Sequence, residues 1–391
     1  MKFRPLKALA AAAFLTGTAA CGSANDADTA APPATDAGAG PAAAPGKDSP
    51  AVGFIFVGPK DDFGYNQAAY EGSQAVKAAF PGVEVLTSEN VPETDEAARA
   101  METMIDKGAR IIFATSYGHL DAALKVAAAH PDVVVAQQGN LIQGAAPANA
   151  GTFFGTVFEP VYLAGIAAGK ATKSNKLGYV YAFPITQTIE NINAFELGAQ
   201  SVNPAAQTFV VNTSSWCDPA KQAAAAKSLF DQGVDVISQH QDCTGTVTKA
   251  AETAGRFVVG YHADASPLAP KGWLTGSEWA WDELYVDIVR TARAGEFTAS
   301  KYNANFRVGY HDGNNPFVQS KYGPAVTDEV KALVAEAKAR ISAPTGSPFA
   351  GPVVAQDGSI LVPAGQVPDY ATIESTMKVF VKGVVGELPK S

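Results

Sequence analysis

Ala51–Val57 (AVGFIFV) is an unbroken apolar run. A strand with one face in water alternates in polarity, whereas a parallel strand covered on both faces reads as continuous apolar sequence. The segments that follow fit such a sheet. Ala68–Phe80 has helical periodicity and stops at Pro81-Gly82. Val83–Leu86 is the next expected strand. Asp95–Lys107 reads as a helix, with Thr94 as its cap and Gly108 as its end. Arg110–Ala114 reads as a strand, Leu120–His130 as a helix and Asp132–Ala136 as a strand. Strand and helix alternating in this way mark a doubly wound parallel sheet of the α/β class.

The alternation recurs further along. Strands are expected over Leu177–Tyr181, Thr208–Val211, Val234–Ser238 and Phe257–Gly260. Helices are expected over Thr188–Ser201, Ala220–Gln232 and Thr246–Ala254. Pro160–Lys173 reads as a connecting helix, and Trp281–Ala294 as a helix returning the chain to the first half. Gly351–Val362 reads as a hairpin around Asp357-Gly358, a strong turn signal. Ala371–Val384 reads as a closing helix. The expected organisation is two α/β lobes: residues 50–160 with 286–391, and residues 161–285.

The whole chain has 391 residues, 47% hydrophobic and 17% charged, with a formal net charge of −9. After the first 21 residues no apolar stretch approaches the ~18–20 residues of a spanning helix. The acidic balance argues against a nucleic-acid partner, which requires a basic face.

Residues 1–20 have the layout of an export signal. Lys2, Arg4 and Lys7 precede an apolar stretch, Ala8–Ala20, that ends in small residues. Thr18-Ala19-Ala20-Cys21 resembles a bacterial lipobox, with Thr18 where Leu is usual. Cys21 is therefore the expected lipidation site, tethering the chain to the outer face of the cell membrane. Residues 22–49 contain no aromatic residue and no Leu, Ile or Val, so they read as a disordered tether spanning roughly 30 Å.

Ligands in open α/β sheets bind beyond the carboxyl ends of the strands. Those ends carry Phe63, Tyr65 and Asn66, then Tyr117, then Gln137 and Gln138. In the second half they carry Trp216, His240, Asp242, His262, Asp264 and Trp279. Aromatic and amide side chains with few cations suit a flat, neutral, polar ring, stacked on its faces and read at its edge. The segment Gly165–Lys170 has neither the spacing nor the hydroxyl of a phosphate loop and reads as helix. The pairs His240-x-Asp242 and His262-x-Asp264 could ligate zinc, but HxD is short and fixes no tetrahedral set, so they read as cleft lining. No nucleophile motif and no dinucleotide fingerprint occurs, so neither an enzyme nor a cofactor is expected. Cys217 and Cys243 each follow a strand of the second half. If those strands are neighbours, a disulfide is expected, stabilising by ~3 kcal/mol in the chain-entropy model.

GFIFVGPKDDFGYNQAAYEG, AFELGAQSVNP, WCDPAKQAAAAKSLFDQGVDVISQHQD and PFAGPVVAQDGSILVPAGQV resemble the basic membrane protein family of substrate-binding lipoproteins of ABC importers. The resemblance implies a type I periplasmic-binding-protein fold, in which two lobes joined by three crossovers close on a ligand. It implies an ABC permease and ATPase as partners. It also implies a purine base or nucleoside between aromatics of the two lobes, Phe63 or Tyr65 facing Trp216. The family's ribose-binding pattern is incomplete. Tyr117-Gly118-His119 stands where an Asp is usual, and Asp264 has no Lys at Glu278-Trp279. The resemblance therefore points to a base or similar heterocycle. A sensor on the same fold, presenting its closed form to a membrane signalling partner, is the alternative.

Overall fold

The computed structural model describes residues 43–389. The export signal, Cys21 and residues 22–42 of the expected tether lie outside the described residues. Residues 43–49 correct the tether's extent, because they pack on the first lobe. Gly46 N–H donates to the Asp132 carbonyl at 2.9 Å and Asp48 N–H to that of Arg293 at 3.0 Å. Ser49 Oγ donates to the Ala51 carbonyl and accepts from Arg110 N–H. Composition counts apolar side chains, whereas this segment is anchored by its backbone and by Gly46, where a Cβ would press on Val134, Ala292 and Ile111.

The first sheet contains β1 (Ala51–Ile55), β2 (Glu84–Ser88), β3 (Ala109–Ala114), β4 (Val134–Gln138) and β5 (Ala150–Gly155). The second contains β6 (Lys176–Tyr181), β7 (Gln207–Asn212), β8 (Val236–His240), β9 (Phe257–Gly260) and β10 (Trp273–Trp279). The chain then adds β11 (Asn305–Val308) to the first sheet and β12 (Phe317–Gln319) to the second. The orders are β11-β5-β4-β3-β1-β2 and, ending in β15 (Val384–Val385), β12-β10-β9-β8-β6-β7-β15. Every pairing within them is parallel except that of β12 with β10. In each sheet the strand order reverses beside the lobe's first strand, at β1/β3 and at β6/β8. Such switch points open crevices at the carboxyl ends. The chain passes between the sheets after β5, after β10 and after β11. The fold is thus the expected two-lobe α/β architecture.

The first lobe's helices are α1 (Tyr65–Ala79), α2 (Asp95–Asp106) and α3 (Leu120–Ala129). The crossover helix α4 (Phe158–Ala171) lies against α5 (Thr186–Val202). Gly165 and Gly198 permit that approach, since a Cβ on either would overlap the partner helix's backbone. Next come α6 (Pro219–Asp231), α7 (Gly245–Thr253) and α8 (Asp282–Arg293), which packs on α1. Thr94 and Asp218 cap α2 and α6 through the N–H groups of Glu96 and Lys221.

Residues 328–389 keep the expected hairpin but depart from expectation around it. They contain α9 (Asp328–Ile341), the hairpin of β13 (Val353–Val354) and β14 (Ile360–Val362), and α10 (Tyr370–Thr376). The closing helix was expected to reach Val384; it stops at Thr376, and Val384–Val385 forms β15 against Thr208–Phe209 of β7. The tail is therefore not wholly first-lobe, because β12 and β15 both complete the second sheet. Alternating Val and Lys near the end suits an edge strand as well as a helix turn, and the exposed edge of β7 decides the outcome.

Candidate functional site

The carboxyl ends of both sheets face one another across a cleft, and the lobes touch there. Tyr65 N–H donates to the Asp242 carbonyl at 3.1 Å. Thr244 Oγ1 donates to the Phe63 carbonyl at 2.6 Å, and Trp216 Nε1–H reaches Glu93 Oε2 at 3.4 Å. Glu93 Oε1 is held within its own lobe by Ser116 Oγ and Gly118 N–H. These contacts bring two different lobes together around a narrow cavity of about 20 Å³.

Aromatic side chains form much of its wall. Tyr65 and Phe154 come from the first lobe, with Tyr117 at its rim and Trp216 from the second lobe. The Tyr65 ring lies 4.9 Å from that of His262, and Trp216 meets Phe183 edge-on at 5.1 Å. Polar groups are few and fixed: Ser116, Gln187, His240, Asp242 and His262.

Both histidines are neutral. His240 Nδ1 accepts from Asn191 Nδ2, and His262 Nδ1 accepts from Trp279 Nε1–H at 2.8 Å. Burial pushes His240 down to about 3 and His262 well below its usual value. In each ring the proton therefore sits on Nε2. Asp242 is buried, and burial first, then the nearby Asp62 and Glu93 carboxyls, push its pKa well above the carboxylate range. The site thus places a carboxyl and two neutral imidazoles among aromatic faces. It can stack a planar ring and read polar atoms at its edge.

Of the residues singled out in the sequence, Tyr65, Tyr117, Trp216, His240, Asp242 and His262 line this cavity. The others sit elsewhere. Phe63 adopts φ 54° at the lobe contact, with 40% of its surface exposed, and is not part of the wall. Asn66 serves its own loop: Oδ1 accepts from Gly58 N–H and Nδ2 donates to Asp62. Asp62 also accepts from the N–H groups of Gly64, Asn66 and Gln67, which starts α1. Gln138 lies behind the wall, where its Oε1 accepts from Tyr285 Oη. Trp279 supports the site from outside, donating to His262 and stacking on Trp281 at 4.2 Å. Asp264 turns to Lys321, 2.7 Å away, and does not reach the cavity. Among the described residues no group of three His, Cys, Asp or Glu could hold a metal ion.

Phe154, Ser116, Ile185 and Gln187 complete the wall and were missed. Phe154 was hidden because AGTFFG, with its glycines, does not read as a strand. Ser116 stood in a loop that was recognised, beside the more conspicuous Tyr117. Ile185 and Gln187 follow Phe183-Pro184, and their position at the end of β6 was the available signal.

Cys217 and Cys243 form a disulfide with Cα atoms 5.2 Å apart. Their strands β7 and β8 are not neighbours, since β6 lies between them. The bond instead joins two loops over the end of β6, beside the hydrogen bond from Asp242 N–H to the Trp216 carbonyl at 2.8 Å. It therefore fixes Trp216 and Asp242 relative to one another.

Comparison with known proteins gives the family and agrees with the fold. The family model described as "ABC transporter substrate-binding protein PnrA-like", Bmp, matches residues 49–330. A purine-binding protein of Brucella abortus (strain 2308) is 35% identical over 87% of this chain and 94% of its own. A putative ABC transporter glucose-binding protein of Haloferax volcanii is 32% identical over 86% of this chain and 80% of its own. A solute-binding protein of an ABC transporter system from Aeropyrum pernix K1 superposes with a TM-score of 0.65 at 16% identity, covering 85% of this chain and 100% of the other. A transcriptional activator of the comK gene from Bacillus halodurans gives 0.64 at 23% identity, covering 76% and 99%. At such identities these two likenesses concern fold alone.

Proposed function

This chain belongs to the Bmp family of PnrA-like ABC transporter substrate-binding proteins, and from that premise we propose that it captures a purine base or similar heterocycle for an ABC importer. One observation carries the reading: a small inter-lobe cavity walled by Tyr65, Tyr117, Phe154 and Trp216, with Asp242 and two neutral histidines at its polar edge. The purine-binding relative supports it. A planar ring stacks between Trp216 and the first-lobe aromatics, and Asp242 reads the ring's polar edge. The ligand touches both lobes, so it favours the closed arrangement over an open one, which is hinge closure by differential affinity. Rings lacking the matching donors leave buried polar groups unpaired and are rejected.

The protein works outside the cytoplasm, held to the membrane by a lipid on Cys21, and delivers its ligand to a permease and ATPase. Among the described residues no helix is long and apolar enough to cross a membrane. The deciding experiment is calorimetry of the purified chain with adenine, guanine, hypoxanthine, adenosine and glucose, alongside mass spectrometry of any small molecule released on denaturation. Binding of a purine, and its loss in Asp242→Ala, is the expected result. Binding of glucose without any purine would overturn the ring reading.

A further inference from the structure

Gln187 is the one side-chain amide in the cavity wall, and its orientation is imposed from outside the cavity. Its Nε2 donates to the Gly139 carbonyl of the first lobe and to Glu374 Oε1, the latter at 3.1 Å. Both partners can only accept, so the nitrogen must face them. The carbonyl oxygen, Oε1, is then the atom left over. Among the described residues no donor reaches it, and it is not among the buried atoms closed off without a partner. Gln187 lines both the ring cavity and a polar recess beside it, shared with Tyr117 and Asn140.

Glu374 is itself rigidly held. Arg307 of β11 grips it with Nε to Oε2 at 3.0 Å and Nη2 to Oε1 at 3.2 Å. Both side chains are buried, 9% and 4% exposed. Arg307 Nη2 also donates to the Asn140 carbonyl at 2.7 Å. The segment that follows α10 is pinned to the second lobe by Asn193, which donates to the Val379 carbonyl and accepts from Val381 N–H, each at 2.9 Å. Glu374 therefore arrives on the C-terminal tail and stands between Arg307 of one lobe and Gln187 of the other. It lies beyond residues 49–330, the stretch shared with the family.

We propose that Glu374 is a specificity-determining positioning residue: it fixes Gln187 as a hydrogen-bond acceptor toward the ligand, so that the closed site selects a ring carrying a donor at that edge. This rests on the ring-binding reading above. A bidentate Arg partner holds the carboxylate in one geometry. A carboxylate cannot donate, so Gln187 cannot flip without losing a buried hydrogen bond.

The test measures dissociation constants of the wild type and variants for adenine, guanine, hypoxanthine and unsubstituted purine by calorimetry. Glu374→Gln removes the carboxylate acceptor and leaves the Gly139 carbonyl alone to orient the Gln187 amide. The expected outcome is that the ratio between the tightest and weakest of the four ligands shrinks about tenfold, the worth of one hydrogen bond. A purely structural role would weaken all four by one common factor. Because Glu374→Gln leaves Arg307 buried without a counter-charge, Gln187→Leu serves as the second variant, with the ion pair intact. It should compress the same ratios, and adding Glu374→Gln to it should compress them no further. Unchanged ratios in Gln187→Leu, or additive effects in the double variant, would overturn the proposal while leaving ring binding in place. A wild type that binds none of the four would overturn both.

Discussion

Gly64 and Asp242 meet backbone to backbone across the cleft, and the contact leaves no space for a side chain. A Cβ built on Gly64 would overlap the Asp242 carbonyl oxygen. The next residue's N–H, that of Tyr65, donates to the same oxygen. Glycine is required here by the approach of the second lobe.

Gly64→Ala should therefore leave each lobe folded and obstruct their closure. The expected result is ligand affinity reduced at least tenfold, with the unfolding temperature of the ligand-free protein nearly unchanged. Calorimetry and thermal unfolding on the same preparation separate the two effects. Equal affinity in the variant would mean that ligand binding does not use this closed contact.

Trp216→Ala removes the second lobe's stacking face. Trp216 is only partly buried, and its neighbours Phe183 and His240 belong to the same lobe. The loss in binding should be about 1–3 kcal/mol, the usual worth of a base stacked on an aromatic ring. Titration by calorimetry measures it directly. A variant that binds as tightly as the wild type would remove Trp216 from the site.

Reducing the Cys217–Cys243 bond should act on stability and affinity together. The cysteines are 26 residues apart, so the cross-link is worth about 3 kcal/mol in the chain-entropy model. The paired Cys217→Ser/Cys243→Ser variant should unfold at lower denaturant, and also bind more weakly, because Trp216 and Asp242 lose their shared restraint. Reduced stability with unchanged affinity would assign the bond to folding alone.

Much of the fold was legible because parallel strands carry their own signal. AVGFIFV (Ala51–Val57) could hardly be other than a strand covered on both sides. The strands that went unread, β5, β10, β11, β12 and β15, contain Gly, Asn or Arg or span only two or three residues. Site residues were legible where a strand end was recognised, as with Tyr65, Tyr117, Trp216, His240 and Asp242. Asp264 and Trp279 occupy equally good positions in the sequence, yet Lys321 and His262 claim their polar atoms. Glu374 lay beyond reach for a different reason. It acts from a tail more than 180 residues from Gln187, and no local pattern announces such a contact.

Stability should decline as pH rises through neutrality, because several carboxyls are buried with little to hold their charge. Burial raises Glu159 to about 7, against the hydrogen bonds it accepts from Tyr310 N–H and Asn315. It raises Glu196 to about 7 as well, against Thr208 and Gln200. Glu190 is pushed well above its usual value by burial and by Glu374, and neither of its oxygens has a partner. A carboxyl with a raised folded pKa binds more protons folded than unfolded. Its stabilising contribution is therefore complete below the unfolded value of 4.5 and is lost as pH climbs through 7. For Glu159 and Glu196 the loss is about 3 kcal/mol each when ionisation is complete. The lowered carboxyls, Asp235 and Asp264 among them, act in the opposite sense only below pH ~4. The buried neutral histidines, His119, His240 and His262, also act in the opposite sense, but only below their unfolded value of 6.5. The carboxyl effect is therefore read above that value, and the unfolding temperature should fall between pH 6.5 and 8.5. The Glu159→Gln/Glu196→Gln variant, neutral at both positions, should flatten that slope. A wild type more stable at pH 8.5 than at 6.5 would show that these groups are ionised in the folded protein.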